Sequence, residues 1–194
     1  MTISEYSIVI AGVGGQGGLT LSRIIATAAA YSGLNVRTGE TLGMAQRGGS
    51  VQSYVKIGRR VYSPLIKKGS ADALIGLEPL EAARASPYVG PDTKIVLDPE
   101  PVPTIFHIVG RENYPPVEEL IEILREKTRN IHIVLARREA EKINAKQSAN
   151  MILLGKLISI DSILSADKIE EAVRIVLRKN AHKAIEAFRK GMVL

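Results

Sequence analysis

The sequence has 194 residues, of which 45% are hydrophobic and 24% are charged, and its formal net charge is +6. These proportions are typical of a globular protein and exclude a disordered chain. Cysteine is absent, which excludes disulfides and every cysteine-ligated iron–sulfur or zinc site in this chain. The length predicts one domain, residues 1–194, with residues 165–194 as a helical tail.

Other properties of the composition narrow the class of protein further. The three histidines are scattered, without the spacing of a metal site. No segment approaches the roughly 20 apolar residues that span a bilayer, and the N-terminus lacks the basic region of a signal peptide. We therefore expect a cytoplasmic protein that does not contact a membrane. The abundance of Arg, Lys and Glu is compatible with a thermophilic source.

The positive charge is concentrated in the C-terminal third. Between Arg125 and Lys190 there are 15 Lys and Arg residues against 8 Asp and Glu residues. Such an excess could meet nucleic acid, an acidic partner or an anionic cofactor. Because acidic residues are interleaved with the basic ones, we favour a solvated helix face.

The first half of the chain alternates predicted strands and helices. Residues 7–11 are apolar and β-branched, as in a buried parallel strand, and residues 19–31 carry apolar side chains at helical spacing. A second strand is predicted at 35–38. Residues 50–57 alternate like a half-exposed strand, and the turn after them predicts a hairpin with residues 61–62. The remaining elements of this half are a buried strand at 73–77 and a short helix at 80–85.

The second half continues the alternation and ends in helices. Its predicted elements are a strand at 94–97, a helix at 117–127 after two prolines, a strand at 131–135, and helices at 149–158, 167–177 and 182–190. Alternating strands and helices predict an α/β fold. We expect a Rossmann-like, doubly wound, mainly parallel sheet with an antiparallel edge hairpin and C-terminal helices.

A glycine loop follows the first strand and opens the first helix. Gly12, Gly14 and Gly17 form a G-x-G-x-x-G motif, whose backbone amides and helix N-terminus suit an anion. A nicotinamide dinucleotide also requires an acidic residue at the end of the second strand. That strand is predicted to end by Thr38, with Glu40 beyond it. A dinucleotide, a phosphate or protein contact, and simple close packing of strand and helix therefore stay open as interpretations.

A second glycine-containing loop precedes Ser50 and includes Arg47 followed by two glycines. Loops after the strands of a doubly wound sheet lie at its carboxyl edge, where ligands bind, so we expect the two loops to be neighbours. Arg47 could place its guanidinium over an anion, or it could lie in a mobile turn and point into water. RNA-binding Arg-Gly-Gly segments are repeated and disordered, whereas this one is single and lies between predicted strands.

The two loops together resemble one protein family. Gly-Val-Gly-Gly-Gln-Gly at 12–17 and Gly-Met-Ala-Gln-Arg-Gly-Gly-Ser at 43–50 are similar to the γ-type domain of 2-oxoacid:ferredoxin oxidoreductases, and the second motif especially to the β subunit of indolepyruvate ferredoxin oxidoreductase. Glu-Pro-Leu-Glu-Ala at 78–82 and Asn-Met-Ile-Leu-Leu-Gly at 150–155 extend the resemblance over most of the chain. The sequence departs from the family at Lys156, where alanine is usual, and at 144–148.

The resemblance implies a division of labour between subunits. A large catalytic partner carries thiamine diphosphate, magnesium and iron–sulfur clusters, and this chain carries no cofactor and is inactive alone. The complex oxidatively decarboxylates indolepyruvate or another aryl pyruvate, transfers the acyl group to coenzyme A and passes electrons to ferredoxin. The chain also lacks a Gly-Asp-Gly sequence followed by a distant Asn pair, which would hold magnesium diphosphate.

The candidate binding residues include no catalytic residue and no metal ligand. They are Gly12, Gly14, Gly15, Gln16, Gly17, Gly18, Gln46, Arg47, Gly48, Gly49, Ser50 and Asn150. We expect loops 14–18 and 46–50 to form one face against the large subunit, with Arg47 contacting a coenzyme A phosphate or the substrate carboxylate. Asn150 is expected either to hold the two loops through a polar contact at a helix start or simply to cap that helix.

Two rival functions belong to other classes. The first is a free-standing NAD(P)-dependent oxidoreductase, which the missing acidic residue at Thr38 disfavours. The second is a nucleic-acid-binding module that uses the basic C-terminal third. The two Phe and six Tyr residues do not cluster into a platform for bases, so we expect no nucleic acid among the partners.

Overall fold

The computed structural model describes residues 4–41, 48–104, 110 and 113–194. The strands are β1 (Glu5–Val13), β2 (Asn35–Glu40), β3 (Ser50–Gly58), β4 (Ala71–Gly76), β5 (Val89–Leu97) and β6 (Ile131–Ile133). The α-helices are α1 (Gly18–Tyr31), α2 (Pro79–Arg84), α3 (Val117–Arg125), α4 (Ala136–Lys142), α5 (Ala149–Ile160), α6 (Ala166–Leu177) and α7 (Ala181–Met192).

The six strands form one sheet in the order β2-β3-β1-β4-β5-β6. Strands β1, β4, β5 and β6 pair in parallel, whereas β3 is antiparallel to both of its neighbours, β1 and β2. The predicted α/β fold, a mainly parallel sheet with an antiparallel edge and C-terminal helices, is confirmed. Within the described residues, no helix combines the length and the apolar character that a membrane span requires.

The predicted hairpin of residues 50–57 with 61–62 is wrong. Neither Val61 nor Tyr62 belongs to a strand, and β3 pairs with β2 and β1 instead. The antiparallel edge therefore consists of β2 and β3. The alternation of buried and half-buried residues in β3 is as predicted. Such a pattern fixes which side chains face the core but not which strand lies alongside, and that is why the partner was wrongly assigned.

Both faces of the sheet are covered. Successive side chains of β1 point to opposite faces. Ile8 and Ile10 join a cluster with α1 and α5–α7, whereas Val9 and Ala11 join a second cluster with α2 and α3. Burying an isoleucine side chain contributes about 1.5–3 kcal/mol. Burial on both faces explains why β1 is a continuous apolar run.

The C-terminal helices are part of the core. Helices α5 and α7 cross at two glycines, where their backbones touch. A Cβ on Gly155 would lie 2.1 Å from the carbonyl oxygen of Phe188, and one on Gly191 would lie 2.0 Å from that of Ile152. Phe188 is fully buried at this crossing. Helix α7 therefore packs on α5, whereas α6 packs on α1.

Candidate functional site

The candidate site lies at one edge of the sheet. Strands β1, β4 and β5 run in the same direction and end at this edge, and the reversed strand β3 begins there. The glycine loop after β1, residues 48–50, Leu77 and Asp98 are consequently brought to the same edge. This is the edge at which open α/β sheets bind ligands.

The two glycine-containing loops contact each other directly. The amide of Gly14 donates a hydrogen bond to the carbonyl oxygen of Gly49, with a nitrogen–oxygen distance of 2.8 Å. The prediction that the loops are neighbours is therefore confirmed. Gln46 and Arg47 lie outside the described residues, so their predicted roles stay predictions.

Gln16 holds the glycine loop in its conformation. Its side-chain oxygen accepts from the amide of Val13 at 2.7 Å, and its side-chain nitrogen donates to the carbonyl oxygen of Leu77 at 2.9 Å. One amide side chain thus joins the end of β1 to the end of β4. A Cβ on Gly12 would lie 2.9 Å from both the Gln16 side-chain oxygen and the Leu77 Cβ, so this glycine leaves room for the bridge. Both polar atoms of Gln16 are occupied by the backbone.

Asn150 contacts the glycine loop but is not a helix cap. Its side-chain nitrogen donates to the carbonyl oxygen of Gly17 at 3.1 Å, and Asn150 is 7% exposed. Ser148 occupies the N-cap position of α5. Gly17 has a φ of 80°, a left-handed conformation that favours glycine, and it caps α1 without a side-chain hydrogen bond. Among the described residues, the predicted contact of Asn150 therefore reaches one loop and not both.

A buried carboxylate anchors the second loop. The hydroxyl of Ser50 donates to one oxygen of Glu81, and Arg84 donates to the other oxygen at 2.7 Å. Glu81 is fully buried. Sequence reasoning placed Glu81 in a family motif but did not assign it this contact. The burial of Glu81 becomes visible only in the folded chain, and the sequence carries no local signal for its contact with Ser50.

A second buried carboxyl group lies beside the first. Glu78 caps α2 by accepting from the amide of Glu81 at 2.8 Å, and it also accepts from the hydroxyl of Tyr114. Glu78 is 1% exposed. Its burial raises the pKa of this carboxyl above the ordinary value, although its hydrogen-bond donors oppose the rise.

The raised pKa of Glu78 predicts a pH-dependent stability. The folded protein binds this proton more tightly than the unfolded chain, so the contribution of Glu78 to the free energy of unfolding grows as pH falls through the raised pKa towards 4.5. We expect Glu78→Gln to weaken that pH dependence. The free energy of unfolding of the variant, relative to that of the unaltered protein, should therefore be higher at pH 8 than at pH 5. Guanidinium unfolding across this range measures it, with the exposed Glu118→Gln as control. Parallel stability curves would contradict the prediction.

Two cavities flank the glycine loop. The first, of about 240 Å³, is bounded by loop backbone, the first turn of α1 and the apolar side chains Ile10, Val51 and Leu77. The second, of about 390 Å³, lies between the loop and the start of α5, and its lining includes Asp98, Arg137 and Lys146. One side of the loop is therefore apolar, and the other carries polar and charged side chains of both signs.

The polar side of the loop was not predicted from the sequence. Arg137 belongs to α4, a helix that was not predicted and that begins directly after the strand predicted at 131–135. Its amide and its Nε both donate to one oxygen of Asp98, each at 3.1 Å. Burial of Asp98 raises the pKa of its carboxyl, against the opposing effect of Arg137. Helix-forming residues at 136–142 were the available signal.

The arrangement differs from a dinucleotide site. Strand β2 extends to Glu40, so an acidic residue does lie at the end of the second strand, contrary to the sequence prediction. However, β3 lies between β2 and β1. With strands about 4.8 Å apart, Glu40 is one strand further from the glycine loop than the acidic residue of a dinucleotide-binding fold.

The site contains few groups suited to chemistry of their own. The side chains of Gln16, Ser50 and Asn150 are all engaged in hydrogen bonds with protein atoms. In the described part of the chain, no group of three or more His, Asp or Glu residues lies close enough together to hold a metal ion. What the site offers is backbone surface between an apolar cavity and a polar one.

The basic C-terminal third is largely paired. Glu170 accepts from Arg189 at 2.6 Å and from Arg174 at 3.1 Å, and the hydrogen bond from Arg189 is the main cause that lowers the pKa of Glu170. Lys168 and Lys183 also form ion pairs within their own helices. These pairs support the solvated helix face expected from the interleaved acids.

Comparison with known proteins gives consistent matches along the whole chain. The family model for pyruvate ferredoxin/flavodoxin oxidoreductase matches residues 7–194. The indolepyruvate oxidoreductase subunit IorB of Archaeoglobus fulgidus is 42% identical over 175 residues, which are 90% of this chain and 87% of that protein. The IorB subunit of Pyrococcus horikoshii is 35% identical, with coverage of 98% and 96%.

More distant matches share the fold. The pyruvate/ketoisovalerate oxidoreductases common subunit gamma of Pyrococcus furiosus is 27% identical over 94% of this chain and 95% of its own length. Among solved structures, pyruvate oxidoreductase subunit PORC of Thermotoga maritima has a TM-score of 0.70 at 20% identity, covering 97% of this chain and 95% of that one. The gamma subunit of a keto/oxoacid ferredoxin oxidoreductase from Geobacter sulfurreducens has a TM-score of 0.66 at 20% identity, covering 97% and 99%.

The resemblance seen in the four sequence motifs thus extends over nearly the whole length of the chain. The family model omits only the first six positions, and three relatives exceed 30% identity over at least 90% of the chain. The chain belongs to the pyruvate ferredoxin/flavodoxin oxidoreductase family.

Proposed function

We propose that this chain is the subunit without cofactors of a thiamine-diphosphate-dependent 2-oxoacid:ferredoxin oxidoreductase that acts on indolepyruvate or a related aryl pyruvate. The observation that carries the proposal is the 42% identity to an indolepyruvate oxidoreductase subunit over 90% of the chain. The pyruvate/ketoisovalerate gamma subunits reach only 25–27%. The difference favours an aryl substrate over pyruvate.

In this proposal the redox chemistry belongs to a large partner subunit. The partner holds thiamine diphosphate, magnesium and iron–sulfur clusters, and the complex releases carbon dioxide, forms an acyl-coenzyme A and reduces ferredoxin. The absence of cysteine in this chain supports the division, because thiolates hold such clusters. The occupied side chains of the described site support a role in shaping the partner's active site instead of reacting in it.

The two loops are the proposed contact with the partner. Gly14 and Gly49 join them through the backbone, and Asn150 acts through Gly17 as a positioning residue. Arg47 is proposed to contact an anionic group, either a phosphate of coenzyme A or the substrate carboxylate. Glycine backbone in this place lets a partner or ligand approach more closely than a loop with side chains would.

Reconstitution tests the proposal. The chain is expressed alone and together with its large partner, and reduction of ferredoxin is measured with indolepyruvate, pyruvate and 2-oxoglutarate. We expect the chain alone to be inactive and the complex to require thiamine diphosphate and coenzyme A. The ratio kcat/KM should be highest for indolepyruvate.

Reconstitution and two binding measurements on the isolated chain distinguish the rival functions. Turnover by the isolated chain, or binding of NADH to it in calorimetry, would contradict the proposal in favour of a free-standing oxidoreductase. Retention on DNA with a linear dependence of log affinity on log salt would favour nucleic-acid binding. A complex that prefers pyruvate would leave the subunit role intact and contradict the aryl substrate.

A further inference from the structure

A segment between β3 and β4 has the properties of a second contact surface, separate from the loops at the carboxyl edge. We call residues 59–68 the basic segment; it contains four cationic side chains and two large apolar side chains that face solvent. Tyr62 is 84% exposed and Leu65 is 77% exposed. Single exposed apolar residues are ordinary on protein surfaces, but these two lie three positions apart on one short segment.

The basic segment is fixed against the sheet. Val61 and Ile66 are only 2% and 9% exposed, and Ile66 joins the cluster that includes α2 and α3. A Cβ on Gly39 of the edge strand β2 would lie 3.1 Å from Cγ of Pro64, so this proline packs directly onto the strand. The two exposed apolar side chains are therefore presented by an ordered backbone. A preformed surface of this kind loses little conformational entropy on binding.

The charge within the basic segment has one sign. Arg59, Arg60, Lys67 and Lys68 flank them, and none of the four forms an ion pair with any residue that the structure describes. From residue 41 to residue 71 the sequence contains no Asp or Glu. A surface with an apolar centre and a cationic rim is complementary to one with an apolar pocket bordered by carboxylates.

We propose that the basic segment docks onto such an acidic surface of the catalytic partner subunit, with Tyr62 as its central anchor; the inference rests on the proposed function. Tyrosine and arginine are the residue types that dominate binding energy at protein interfaces. A second copy of this chain is a poor occupant, because a symmetric contact would set the four cations against their own copies. Nucleic acid fits less well, because the exposed Leu65 has no ring to stack on a base.

Two double variants of the full chain test the docking. Tyr62→Ser with Leu65→Ser removes the apolar centre, and Arg60→Glu with Lys67→Glu inverts half of the rim. Each is titrated onto the purified partner subunit at low and high salt. We expect the first to raise Kd at least about tenfold, and the second to slow association and reduce its dependence on salt. Melting temperatures should be unchanged, because all four side chains are exposed.

Matched controls lie on the other face of the sheet. Tyr31→Ser removes an aromatic side chain that is 52% exposed at the end of α1, and Lys179→Glu inverts a charge after α6; both should bind like the unaltered chain. Wild-type affinity of both basic-segment variants would overturn this inference alone, whereas failure of the unaltered chain to bind the partner would overturn the proposed function with it. Self-association or DNA binding that the variants abolish would overturn it in favour of those occupants.

Discussion

Replacing Gly155 with alanine is expected to destabilise the protein by about 3 kcal/mol or more. The added Cβ would lie 2.1 Å from the carbonyl oxygen of Phe188 and 2.9 Å from the amide nitrogen of Met192, and both atoms belong to the backbone of α7. Alanine is the better helix former by about 1 kcal/mol, but the clash outweighs this gain because two packed helices must separate. Guanidinium unfolding measures the loss.

A reciprocal substitution and a control sharpen this test. Gly191→Ala meets the same crossing from the other helix, with a Cβ 2.0 Å from the carbonyl oxygen of Ile152. The double variant should cost less than the sum of the single variants, because either one already separates the helices. Ser159→Ala, at an exposed position of α5, should change the free energy of unfolding by less than about 1 kcal/mol. A Gly155→Ala protein as stable as the unaltered one would contradict the prediction.

The second large effect is expected at Gln16. Gln16→Ala removes the bridge between β1 and β4 and leaves the amide of Val13 and the carbonyl of Leu77 without their present partner. An unsatisfied buried polar group costs about 1–3 kcal/mol, so we expect a loss of stability of that order. Because the bridge fixes the loop that is proposed to face the partner, kcat/KM of the reconstituted complex should fall at least about tenfold.

The isosteric variant Gln16→Glu separates the two hydrogen bonds. A carboxylate still accepts from the amide of Val13 but cannot donate to the carbonyl of Leu77. It should therefore lose activity while keeping the shape of the side chain. If Gln16→Ala complexes show unaltered kcat/KM and unaltered affinity for the partner, the bridge has no role in the function of the loop.

Local features of the fold were predictable from the sequence. Burial within a single strand or helix leaves a pattern among residues that are close in sequence. Such patterns are the apolar run of β1, the helical spacing of α1 and the alternation of β3. The strand order was not predictable in the same way. Nothing in the alternation of β3 shows that it inserts between β1 and β2, because that choice depends on pairing between distant segments.

In the candidate site too, features set by local sequence were predictable, whereas contacts between distant residues were not. The positions of Gly12, Gly14 and Gly17 follow from the strand–loop–helix pattern, and the resemblance to known subunits indicated Asn150. The bond that Ser50 donates to buried Glu81 joins residues 31 positions apart, and no local spacing announces it. Helix α4 was not predicted because it has only seven residues and no side-chain cap, so neither a long apolar period nor a capping residue marks it.

The base of the connection between β2 and β3 has a consequence for how this family diversifies. Thr41 and Gln52 close that base with reciprocal bonds, one from the Thr41 amide to the Gln52 carbonyl oxygen and one from the Gln52 amide to the Thr41 hydroxyl oxygen, both 2.9 Å long. Ser50 and Val51 already pair with β1, so insertions or deletions between Thr41 and Gly49 are the ones that would leave the register of the sheet intact. Evolution could therefore adapt this connection to different partners or substrates on an unchanged scaffold, and protein engineers could graft it between homologues as a single cassette.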